Sequence, residues 1–182
     1  MRLFLILLCA LGLIGCASQS ISDFQGTSPE FDLQAYFLGK TQATGIFEDR
    51  FGRLRREFIV DIDGYMEGET LILDEQFFYK DGEEAERIWR IDQLNTGLYE
   101  GRADDIVGAA TGKLSGNALN WVYVMDLKVG GDVWRVKFDD WMYLQDGGIL
   151  INRAYVRRWG FLIGTVTLVF QQKEVNPTGA AQ

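Results

Sequence analysis

Four charged residues stand inside runs that otherwise read as apolar strand faces. Arg56 alternates with Leu54, Phe58, Val60 and Ile62, and Glu75 with Leu71, Leu73, Phe77 and Tyr79. Asp140 falls among Trp134, Val136, Phe138, Met142 and Leu144, and Arg153 among Ile149, Ile151 and Tyr155. Residues two apart on an extended chain share a face, so two acids and two bases are expected to look inward. An unpaired charge in a core costs several kcal/mol. These four are therefore expected to pair with one another or to meet water in a cavity. At the bottom of a ligand pocket, an Arg of this set would receive a carboxylate or phosphate head group. A buried ion pair that holds strand register accounts for the same residues without any ligand.

A second pattern could line a pocket. Asn117, Leu119, Trp121, Tyr123, Met125 and Leu127 share one face and mix bulk with a few polar tips, which makes Trp121 and Tyr123 candidate wall residues. Aromatic side chains on strands belong more often to the core. The adjacent acids Asp104-Asp105 and Asp139-Asp140 point to opposite faces, so neither pair can flank one substrate as acid and base. Glu75 and Asp140 could do so only if the fold brought them together. Gly108, Gly112 and Gly116 fall at four-residue spacing, but no basic residue of a phosphate loop follows in frame, and strand bends or turns explain them better. The chain has no histidine, which removes the commonest general base and metal ligand together. No catalytic residue, metal site or cofactor is expected, and the chain is read as a non-enzyme.

The elements that must position these residues are strands. Runs rich in Val, Ile, Phe, Tyr and Trp, broken by Gly, Asp and Asn, predict strands near 43–50, 53–63, 68–80, 84–94, 97–103, 108–114, 117–129, 132–144, 149–157 and 160–172. Asp81-Gly82 and Gly130-Gly131 are two-residue hairpin signals, and Asp146-Gly147-Gly148 a longer one. Phe31 to Phe37 has room for a helical turn or two. The two prolines, Pro29 and Pro177, lie outside the strand body. The fold class is therefore all-β. About nine or ten sequential strands close most economically into an antiparallel up-and-down barrel, and an antiparallel sandwich is the alternative.

The N-terminus reads as a leader. Arg2 precedes an apolar run from Leu3 to Ile14 that ends on Gly15 and Cys16, the layout of a signal peptide and too short to span a bilayer. Leu13-Ile14-Gly15-Cys16 resembles the lipobox of bacterial lipoproteins, which implies a diacylglyceryl group on Cys16 and cleavage in front of it. Ala17, where aspartate would resemble an inner-membrane retention signal, favours the outer membrane. Residues 1–15 are thus expected to be removed, 16–30 to carry the lipid and a flexible tether rich in Ser, Gln, Gly and Thr, 31–174 to form the barrel domain, and 175–182 to be a tail. Cys9 leaves with the leader, so Cys16 stands alone and no internal disulfide can form. Loss of Arg2 takes the net charge from −8 to −9, a balance that argues against nucleic acid and against general attraction to anionic lipid.

Asp49-Arg50-Phe51-Gly52, Gly116-Asn117-Ala118-Leu119, Phe138-Asp139-Asp140-Trp141-Met142-Tyr143-Leu144 and Ile151-Asn152-Arg153 together resemble a family of uncharacterised proteobacterial lipoproteins, domain of unknown function 3833. The resemblance covers about Pro29 to Lys173 and implies no activity. The barrel reading is also similar to lipocalins and calycins, a likeness of fold alone. The expected role is an outer-membrane, periplasm-facing lipoprotein that binds an apolar or amphipathic, lipid-like small molecule. The alternative is an interaction protein with a side-chain-filled barrel and protein partners in the envelope.

Overall fold

Alternation along the sequence becomes one continuous meander in the computed structural model, which describes residues 19–173. The strands are β1 (Gly39–Asp49), β2 (Leu54–Glu67), β3 (Thr70–Tyr79), β4 (Glu84–Asn95), β5 (Leu98–Arg102), β6 (Ala110–Ser115), β7 (Ala118–Val129), β8 (Asp132–Leu144), β9 (Leu150–Arg158) and β10 (Phe161–Gln172). Each pairs antiparallel with its sequence neighbours, and β1 closes on β10, for example through Ala43 opposite Phe170. The all-β barrel expected from the pattern is thus the architecture, and the sandwich is not. β1 begins at Gly39, ahead of the expected 43, because Lys40 to Gln42 find backbone partners on β2, Thr41 and Gln42 pair with β10, and the Lys40 carbonyl accepts from the Lys173 N–H just after that strand.

Turn chemistry sets the hairpins. Gly130 and Gly131 both hold positive φ, at 56° and 91°, the conformation a two-residue turn needs if the strands are to keep their natural twist. The β1–β2, β3–β4, β7–β8 and β9–β10 turns gather at one end of the barrel, and the other end receives the β2–β3, β4–β5, β6–β7 and β8–β9 connections.

That second end is plugged by the N-terminal segment. Asp32 caps the short helix α1 (Leu33–Phe37) by accepting from the Ala35 N–H. Phe31, Leu33, Tyr36 and Phe37 are all buried, each worth roughly 1.5–3 kcal/mol by area for the apolar side chains. The Tyr36 hydroxyl donates toward the carbonyls of Gly148 and Phe170, at 3.0 and 3.1 Å. The Phe37 carbonyl lies so close to Gly64 that a Cβ there would sit 1.7 Å from its oxygen. Gly64 is the residue that lets the plug seat.

The expectation of a flexible tether over 16–30 is corrected for its described part. Residues Ile21–Phe24 form a 3₁₀ turn with a capping box between Ser20 and Asp23. Phe24 packs on Trp141 and Tyr143 of the outer wall, with ring centroids 6.1 and 5.6 Å apart, and Gln19 donates to the Tyr143 hydroxyl at 2.7 Å. Small polar composition suggested a tether, but Phe24, the Gln19–Tyr143 bond and the two bonds between Thr27 and Asn117 dock the segment. Cys16, the leader and the 175–182 tail lie outside the described residues.

Candidate functional site

The interior contains a cavity of about 590 Å³. The inward faces of β2, β3, β4, β7, β8 and β10 line it with Val60, Leu73, Phe77, Trp89, Phe138 and Leu168 among others, and it opens between Arg55, Arg56, Glu83, Lys128 and Gly130 at the unplugged end. The wall is built around Trp121 and Tyr123 of β7. The Trp89 ring meets both edge-on, at 5.6 and 5.4 Å, and Tyr123 stacks on Phe138 at 4.9 Å. Room for the Trp121 indole comes from glycines on the two short strands beside it. A Cβ at Gly101 or Gly112 would fall 2.3 or 2.4 Å from that ring. Gly112, read from the sequence as a bend, is a recess under an aromatic side chain.

One polar cluster interrupts this apolar wall. Glu75 on β3 faces Arg87 on β4 at 3.7 Å, an ion pair too long for a direct hydrogen bond. Arg87 grips Asp105, in the β5–β6 connection, through two nitrogens at 2.8 and 3.0 Å. Farther round the wall, Asp140 on β8 accepts from the Asn152 side-chain amide of β9 at 3.3 Å. Asp140 Oδ1 and Asn152 Oδ1 are buried without a hydrogen-bond partner. Burial pushes the Glu75 carboxyl up to about 7 against the pull of Arg87, and burial likewise pushes Asp140 up to about 7 against its bond from Asn152. Desolvation also raises the Tyr123 hydroxyl, with the neighbouring Asp140 charge acting in the same direction. Arg87 stays protonated beside Glu75 and Asp105.

Of the residues singled out in the sequence, Glu75, Asp140, Trp121 and Tyr123 face the cavity together. Arg56 and Arg153 do not join them. Arg56 does point inward, but at the mouth: it pairs with Asp81 and Glu83 at 3.0 and 2.9 Å and lies over the Tyr79 ring at 3.8 Å. Glu75 is opposite Ile62, six residues further along β2, or about 20 Å at strand rise. Sharing a face says nothing about sharing a depth. Arg153 is on the outer surface, beside the Tyr155 ring. The inward face of β9 is instead Leu150, Asn152, Ala154 and Val156. Apolar residues occupy both faces of that strand, and only its register with β8 selects the inner one.

The sequence reading missed Arg87, Asp105 and Asn152. Arg87 carried a signal, since it alternates with Trp89 and Ile91, and Asn152 shares its face with Leu150 and Ala154. Asp105 sits in a connection with no periodicity, held by the Ile106–Met125 bridge that follows it. The pair Asp139-Asp140 does split across the sheet: Asp139 faces outward, where Asn120 donates to it at 2.9 Å. Among the described residues, no group of three or more His, Cys, Asp or Glu side chains is placed to hold a metal ion.

The fold is similar to that of the S-type phycobiliprotein lyase CpeS from Guillardia theta, with a TM-score of 0.52 over 84% of this chain and 90% of that one, at 7% identity. At that identity the likeness is one of fold. No curated protein matches the sequence. The fold is therefore lipocalin-like, and by its match over residues 10–172 the chain belongs to the family described as protein of unknown function (DUF3833).

Proposed function

We propose that this chain is a binding module that holds an apolar or amphipathic small molecule inside its barrel. The observation that carries the reading is the open cavity of about 590 Å³, within the roughly 300–1,000 Å³ of small-molecule sites. A barrel filled by its own side chains would have favoured a non-enzymatic protein that docks to envelope partners.

The wall chemistry narrows the ligand class. Trp89, Trp121, Tyr123 and Phe138 offer flat apolar contacts to its body. Its polar end meets Glu75 and Asp140 against the single guanidinium of Arg87, whose charge is already engaged by Asp105 behind the lining. An acidic excess with unpartnered acceptors favours a group that donates hydrogen bonds or carries positive charge, and disfavours the carboxylate or phosphate that Arg56 and Arg153 had suggested. In this reading the protein is anchored by lipid on Cys16 to the outer membrane, faces the periplasm, binds no nucleic acid and performs no reaction. The likeness to a phycobiliprotein lyase transfers no activity.

The test uses the chain without residues 1–15 and with Cys16→Ser. A neutral naphthylamine probe is expected to bind saturably, to be displaced better by a long-chain amine than by the matching carboxylate, and to lose binding in Val166→Trp, which fills the cavity. A co-purified species is expected in native mass spectrometry. Absence of both the species and saturable probe binding overturns this reading in favour of the interaction protein.

A further inference from the structure

We propose that the rim of the barrel mouth is a docking surface for an anionic phospholipid bilayer. The four most exposed large hydrophobic residues among those described are Trp159 (83%), Phe161 (73%), Phe51 (69%) and Val133 (62%). All four lie at the mouth, in or beside the β9–β10, β1–β2 and β7–β8 turns. The first two of these hairpins are joined directly, since the Arg50 N–H donates to the Ile163 carbonyl at 3.1 Å. The most exposed apolar side chains gathered in one place mark an interaction site.

Trp159 adds an independent observation. It occupies the first position of the two-residue turn before Gly160 with φ at 52°, the one non-glycine residue at positive φ among those described. Asn, Asp or Gly would fill that position without strain. A bulky aromatic held there, projecting into water, stabilises nothing in the barrel wall.

Charge selects the partner. Residues 49–56 and 157–162 hold Arg50, Arg53, Arg55, Arg56, Arg157 and Arg158 against the single carboxylate of Asp49, in a chain of net charge −8. Asp49 pairs with Arg55, Asp81 and Glu83 with Arg56, and Asp139 stands 3.8 Å from Arg157. Arg50, Arg53 and Arg158 have no carboxylate partner among the described residues. Arg50 lies over the Phe51 ring and Arg158 over Trp134 and Trp159, at 4.7, 4.1 and 4.2 Å. Aromatic side chains at headgroup depth, flanked by guanidinium groups that meet lipid phosphates, match the bilayer interface. The acidity of the whole chain argued against such attraction, but these six arginines gather on the β1–β2 and β9–β10 side of the mouth, while the acids Asp81, Glu83, Asp104 and Asp105 of that end lie in the β3–β4 and β5–β6 connections. Docking there would let an apolar molecule pass between bilayer and cavity without crossing water. The rim is also at the end opposite the plug formed by Phe31–Phe37.

The full chain without its leader and with Cys16→Ser should float with phosphatidylcholine vesicles that contain phosphatidylglycerol, and less with phosphatidylcholine alone. Salt should weaken the binding. Trp159→Asn combined with Phe161→Ser should lower partitioning about tenfold, and Arg50→Gln with Arg158→Gln should abolish the preference for the anionic lipid. Because Asn tolerates positive φ, Trp159→Asn should melt no lower than its parent, which separates lost docking from lost fold. Quenching of tryptophan emission by brominated lipid should shrink in the same variant. Failure of the parent to float, or flotation unchanged by the rim variants, overturns the proposal. Probe binding in the cavity is measured without vesicles, so the two readings fail separately.

Discussion

Asn152 donates its side-chain amide to the Asp140 carboxylate at 3.3 Å across the inner face of β8 and β9, and this bond leaves one acceptor on each residue without a partner. A carboxylate placed so deep with so little hydrogen bonding is held back from ionising, and Asp140 titrates near 7 because burial outweighs that bond. Glu75 behaves alike, since burial outweighs its ion pair with Arg87.

The stability of the barrel is therefore expected to fall between about pH 4 and about pH 7. Both carboxyls bind protons more tightly in the folded chain than in the unfolded one, where they return to ordinary values. Their contribution is fully present below those ordinary values and is lost as pH rises through about 7. Asp49, Asp61 and Asp126 are shifted downward, so their effect lies at lower pH, outside this window. Asp140→Asn should flatten the slope and raise the melting temperature at pH 8. Thermal melts across the range check this, and parallel profiles for the variant and its parent would contradict it.

Arg87→Met is expected to cost about 3–5 kcal/mol, the usual result of stranding a buried charge, because Glu75 and Asp105 both rely on this guanidinium. Arg153→Ala, on the outer surface, should stay within about 0.5 kcal/mol of the parent. Urea unfolding of the two variants separates an interior arginine from an exterior one.

Gly112→Ala should destabilise the barrel by about 1–3 kcal/mol, since the added carbon meets the Trp121 ring at 2.4 Å. Trp121→Leu removes the obstruction, so the double variant should be less destabilised than the sum of the single ones. Simple additivity in a double-mutant cycle would show that the recess is not what Gly112 provides.

Cys16→Ser should release the protein from the membrane fraction after a high-salt wash, which removes attachment through the rim, or block its processing, as the Leu13 to Cys16 string implies. Normal processing with membrane association that survives the high-salt wash would remove the lipid anchor from the account.

Period-two alternation and glycine turns are local properties, and they were enough to mark all ten strands and three of the turns between them in the sequence. Glu75, Asp140, Trp121 and Tyr123 were legible for the same reason, because each interrupts or builds a clear face on its own strand. Closure was not local. It depends on β1 meeting β10 across more than a hundred residues, as Ala43 meets Phe170, and the same strands would satisfy a sandwich. Depth and face were undecided as well. Arg56 and Glu75 share an inward direction yet stand at different heights in the barrel, and Arg153 rather than Asn152 looked inward until β9 was set against β8. The hollow interior and the plug could be read from no single strand, since both arise from how side chains of distant strands meet. Which atoms meet across a barrel is set by register and closure, and those belong to pairs of strands rather than to any one stretch of sequence.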